Sequence, residues 1–170
     1  MNINFSEHKS DLYNTLLQLS RNIFFYEKVK LNDTFESRIY LMFIHFSVIL
    51  IIYKKKALKF DQKSYDSLFF NIENNLRELG FGDVTVNKKM KIFNQILYDF
   101  LLKIETSGKK EFNINEKLVF KYFDEFNHTR NDKYLNFEHY FSNFYNFCFE
   151  LSPNNMIRDA LKFKFNYGSS

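Results

Sequence analysis

The chain has 170 residues, a net charge of +4 and 45% apolar residues, enough for one domain with its own core and too much for extended disorder. Its single cysteine, Cys148, excludes an intramolecular disulfide framework and a thiolate metal cluster and fits a reducing compartment. With 23 Phe and 11 Tyr against 4 Gly and 1 Pro, glycine-rich nucleotide loops and turn-dense β sandwiches are disfavoured, and long helices become the default.

The first stretch, Met1 to Asp11, carries Glu7 and Asp11 and has no apolar run, so neither a secretory signal nor an Arg-rich presequence is expected. Leu12, Leu16, Leu19 and Ile23 then recur at helical spacing, and Phe24, Phe25 and Tyr26 close that helix or begin a shorter turn. Asp33 followed by Glu36 is a capping-box variant marking a helix start near Thr34. The run Ile39 to Tyr53, broken by His45 and Ser47, is shorter than the roughly 20 residues of a membrane span and suits a buried central helix. Lys54, Lys55 and Lys56 suit its carboxyl end.

Tyr65, Leu68, Phe69, Ile72, Leu76 and Leu79 form the next apolar stripe. Gly80 ends it as a left-handed cap, with Phe81 supplying the accompanying hydrophobic contact. Thr85 is expected to cap the following helix, whose face is Val86, Met90, Phe93, Leu97, Phe100 and Ile104. These two helices should pair in antiparallel fashion. Thr106 to Phe112 reads as a polar loop, and Asn113 with Glu116 as another capped start before Leu118, Val119, Tyr122, Phe123 and Phe126. A further helix carries Phe137, Phe141, Phe144, Cys148 and Leu151, and Ser152 with Pro153 opens a last short one. The terminal Leu161 to Phe165 alternates and reads as extended without a strand partner. With no repeat and no linker, the expectation is all-α: a single compact domain of six or seven helices over residues 1–170.

No nucleophile with a base, no metal spacing and no phosphate loop is visible. His8, His45, His128 and His139 form no metal-binding pattern, and Cys148 falls on an apolar stripe as an inert thiol. Neither a cofactor nor a small-molecule substrate is implied. Asp83 reads as a cap in the connection between the helix pair. Lys88, Lys89 and Lys91 could meet phosphates or acidic lipid, although such a run is usually a solvated face.

Two stretches are similar to the signatures of the ubiquinol-cytochrome c chaperone family. Arg21, Phe25 and Tyr26 are followed by Asn32, Asp33, Thr34, Ser37, Arg38 and His45, resembling an arginine, Phe-Tyr, Pro-Asp-Thr, Asp-Gly-Arg, Leu-His pattern. NLRELGFGD, from Asn75 through Arg77, Glu78, Gly80 and Gly82 to Asp83, then Val86, Lys88, Lys89 and Lys91, resembles the second signature and is the more specific of the two. The resemblance is good over about residues 12–104. The chain departs from it in having Asn32 for a proline, Ser37 for a glycine, and Leu97, Tyr98, Asp99 and Phe100 for Phe-Tyr-Gly-Arg, where Tyr98 alone is kept.

The resemblance implies a non-enzymatic assembly factor for the cytochrome bc1 complex (respiratory complex III), holding newly made cytochrome b as client. It also implies contact with the ribosome exit region and a small partner protein. Without a visible presequence, a bacterial protein is expected, cytoplasmic or peripheral at the inner membrane. The matching residues would contact the client or support the motif. Two other readings stay open from the residues: an RNA- or ribosome-binding module, from the pI near 9.0 and the lysine cluster, and a haem-handling protein using His45.

Overall fold

A computed structural model of the chain describes residues 11–105 and 112–167. The amino-terminal stretch with His8 and nearly all of the expected 106–112 loop lie outside those residues. Among the described residues six helices of seven residues or more build the domain: α1 (Asp11–Ser20), α3 (Phe35–Lys55), α4 (Gln62–Glu78), α5 (Asp83–Lys103), α6 (Glu116–Tyr122) and α7 (Asp132–Phe149). Single turns, α2 (Phe24–Glu27) and α8 (Met156–Asp159), complete the set, so the all-α expectation holds.

The central element is α3, flanked by α1, α5 and α7, while α4 packs on α1 and α5. It is the one described helix long and apolar enough to cross a membrane, and 72% of its apolar window is buried inside the domain. Its hydrophobicity on nearly every side is what a helix surrounded by other helices requires. Thr34 caps it, its hydroxyl oxygen accepting from the Ser37 N–H at 3.1 Å. The cap is therefore Thr34 and not Asp33, which turns instead to Arg38. Lys54 and Lys55 lie in the last turn of α3, but Lys56 leaves it. Its ammonium donates to the carbonyls of Phe149 (2.6 Å) and Leu151 (3.3 Å), closing the carboxyl end of α7.

Other expectations shift by one or two residues. Ile23 is 55% exposed, because the chain breaks after Ser20 and restarts as α2. Leu79 lies past the end of α4 and is 44% exposed. The cap of α5 is Gly82, three residues before Thr85, which lies inside the first turn of the helix. Asn113 pairs in a two-residue antiparallel bridge, Ile104 opposite Ile114 and Glu105 opposite Asn113, and the cap of α6 is Asn115. After α8 a single 3-10 turn, Ala160–Lys162, takes up Leu161 and Lys162 of the segment expected to be extended. Only from Phe163 does the chain leave helical geometry, and there it pairs with no strand among the described residues. Phe163 and Phe165 pack their rings on Tyr140 at 5.3 and 5.5 Å. Cys148 is buried on α7, and desolvation pushes its thiol up to about 12.

Candidate functional site

The residues of the two signatures separate into a buried set and a surface corner. Phe25 and His45 belong to the core. The His45 ring contacts Phe25, Phe141 and Phe144. Its Nδ1 lies 2.7 Å from the Leu41 carbonyl, which can only accept, so Nδ1 carries the proton and Nε2 accepts from the Tyr140 hydroxyl at 2.9 Å. The Asn22 side chain lies beside the Tyr140 hydroxyl. Desolvation lowers the His45 pKa to about 3 against the opposing backbone hydrogen bond. With both ring nitrogens engaged, ligation of haem iron through His45 would require dismantling this chain.

The corner lies where α1 and α4 end and α3 and α5 begin. Tyr26 donates to the Ser20 carbonyl at 2.7 Å, and the Arg38 guanidinium lies 5.8 Å from the Tyr26 ring centre. Arg38 also grips Asp33 with two hydrogen bonds of 2.7 and 2.9 Å, which hold that carboxyl below its usual range. From the second signature, Asn75 is buried and donates to the Tyr13 hydroxyl on α1. Burial is the main cause raising the Tyr13 pKa to about 12, with Glu78 and Arg21 as charged neighbours. Arg21 also acts on Tyr26. Arg21 thus lies near both tyrosines at one end of the bundle.

The turn between α4 and α5 carries the rest. Gly80 has φ +96°, its N–H donates to the Arg77 carbonyl, and the Phe81 N–H reaches back to Leu76. This is the paired-hydrogen-bond closure expected of a glycine cap. Arg77 spans the turn by pairing with Asp83 and with Glu73. Phe81 remains 39% exposed, with the Lys89 ammonium 5.0 Å from its ring centre, and Lys89 also reaches Glu36 on α3 at 3.8 Å. Of the lysine run, Lys89 is thus structural, whereas Lys88 and Lys91 are exposed. Tyr98, 58% exposed on α5, lies away from the corner and beside Tyr65 of α4.

Of the departures from the resembled pattern, Leu97 is a core residue and the other four have local partners. Asn32 donates its backbone N–H to Glu125 at 2.9 Å, a bond that proline could not make. Ser37 accepts from the Thr34 hydroxyl at 3.0 Å and so strengthens the cap of α3. Asp99 is gripped by Lys103, Lys121 and Tyr122 at 2.8, 2.9 and 2.7 Å. Burial opposes its charge, but these donors outweigh it and hold the carboxyl well below the carboxylate range. Phe100 beside it is buried against Tyr122.

Sequence reasoning missed Tyr13 and Tyr140, since their partners lie in other elements and no local spacing encodes them, and it missed the pairing of Glu73 with Arg77, which the i,i+4 spacing within α4 does encode. Exposed Leu79 and Phe81, flanked by Arg77 and Lys89, give the corner an apolar tip held in a fixed shape by charged pairs. Among the described residues, no three His, Cys, Asp or Glu side chains gather as a metal site.

Fold and corner together define an all-helical domain with a glycine-capped turn, a salt-bridged surface and an exposed apolar edge. Residues 27–128 match the family described as ubiquinol-cytochrome C chaperone, and the chain belongs to that family. No curated protein and no solved structure matches it significantly.

Proposed function

We propose that this protein is a non-catalytic assembly factor that holds newly made cytochrome b and so supports assembly of the cytochrome bc1 complex. The family match over residues 27–128 carries this reading, and the convergence of both signatures on one corner supports it. A membrane protein awaiting its cofactors exposes apolar helix surface, which a preformed apolar tip rimmed by cations can cover. In this reading Leu79 and Phe81 touch the client, while Arg21, Tyr26, Asp33, Thr34, Arg38, Asn75, Arg77, Glu78, Gly80, Gly82 and Asp83 hold the tip in place. Binding alone suffices, with no small molecule consumed. Work at the cytoplasmic face of the inner membrane, beside the ribosome exit region and with a small partner protein, follows from the same reading.

Deletion of the gene tests it: cytochrome b and assembled bc1 complex should both fall, and unchanged levels would sink the proposal. Photocrosslinking from position 81 in cells should then yield cytochrome b, and adding Leu79→Ser to that chain should lower the yield while it remains folded, Leu79 being exposed.

A further inference from the structure

The outer side of α5 takes no part in the corner. Val84, Lys88, Lys91, Gln95, Tyr98 and Leu102 follow at alternating spacings of four and three, which keeps them on one line of the helix. All six are exposed, Val84 at 69% and Leu102 at 81%, and Ile92 lies beside the line at 52%. The core residues Val86, Phe93, Leu97 and Phe100 occupy the opposite side. At 1.5 Å per residue the line runs about 27 Å. A helix that has already buried one apolar stripe has no folding reason to carry a second row of Val, Ile, Tyr and Leu.

The charges along this row are one-sided. Asp83 is taken up by Arg77, and Asp99 by Lys103 and Lys121. Lys88 and Lys91 make no hydrogen bond or ion pair with any described residue. At the Leu102 end, Lys54 and Lys55 of α3 border a groove floored by Leu50, Ile51, Leu101 and Ile104. The face therefore presents protruding apolar side chains among cations whose neighbouring carboxylates are already engaged.

We propose that this face rests on an anionic phospholipid surface. Val84, Ile92 and Leu102 enter the headgroup region, Tyr98 lies at the boundary with its hydroxyl in water, and Lys88, Lys91 and Lys54 meet the phosphates. Shallow apolar insertion and a basic patch are each weak anchors, and together they give reversible attachment. Nucleic acid fits less well, because three of the four protruding apolar groups are aliphatic and offer no ring on which a base can stack.

The inference does not depend on the client reading, and the two fail separately. Flotation of the full chain with phosphatidylcholine vesicles, and with vesicles in which about a third of the lipid is phosphatidylglycerol, tests it. The protein should float with the anionic vesicles alone and be released by salt. Lys88→Glu/Lys91→Glu and Val84→Ser/Leu102→Ser should each lower the bound fraction by about tenfold with unchanged circular dichroism, since all four positions are exposed. No flotation with either vesicle, or flotation indifferent to both double variants, overturns the proposal. Retention on RNA that the lysine variant abolishes, with no flotation, assigns the face to nucleic acid and overturns it equally. Loss of flotation with cytochrome b crosslinking at position 81 intact separates membrane docking from client binding.

Discussion

At His45, the Leu41 carbonyl and the Tyr140 hydroxyl require the neutral imidazole, and the folded pKa is lowered to about 3 from 6.5. Between those limits the unfolded chain binds the extra proton and the folded chain does not. Stability therefore falls as pH drops through about 6.5 and levels off below about 3, by up to about 1.4 kcal/mol per pH unit. The difference in urea-unfolding free energy between wild type and His45→Gln should shrink on acidification from pH 6.5 to 5. A constant difference would contradict a neutral, buried His45. The sequence supplied the expectation of a hydrogen-bonded core histidine, because the surrounding run is apolar. It could not supply Tyr140, which lies 95 residues away.

Among the elements, the turn between α4 and α5 allows the sharpest comparison. Neither glycine is crowded, since a Cβ placed on Gly80 or Gly82 meets nothing within 4 Å. Gly80 has φ +96° and Gly82 has φ −76°, so backbone conformation alone separates them. Gly80→Ala should cost about 1–2 kcal/mol, whereas Gly82→Ala should stay within about 0.5 kcal/mol. Chemical denaturation of the two variants checks this, and equal losses would mean that the turn is held by something other than the glycine cap.

The helical stripes of α4, α5 and α7 were legible because each buries a single face, and Gly80 was legible because few residues close a helix as it does. The caps were less so. Asp33, Thr85 and Asn113 are all competent capping residues, but Asp33 is drawn off by Arg38 and Asn113 by the bridge to Glu105, while α5 starts two residues before Thr85. The corner was visible only as two motifs. That they meet depends on α1 packing against both α3 and α4, a tertiary fact that local periodicity does not contain.

For the molecule as a whole, the family-matched span of 27–128 is narrower than the core. It lacks α1, with Leu12, Tyr13, Leu16 and Leu17, and α7, with Tyr140, Phe141 and Phe144, all of them buried. Burying each such side chain contributes about 1.5–3 kcal/mol relative to exposure, while the net stability of a domain is about 5–15 kcal/mol. A fragment of residues 27–128 should therefore show no cooperative urea transition by circular dichroism, whereas the full chain should show one. A cooperative transition in the fragment would place the folding unit inside the matched span.

Cys148, the only cysteine in the chain and buried on the inner face of α7, gives the protein a built-in clock. A thiolate reagent cannot reach a buried thiol raised to about 12 until the helix around it opens. Labelling should be slow in buffer and rapid in denaturant, with the ratio of the two rates reporting the opening equilibrium. Any occupant of the corner or of the α5 face that stabilises the fold slows that clock. Occupancy can then be timed on the natural sequence, with no reporter cysteine to introduce.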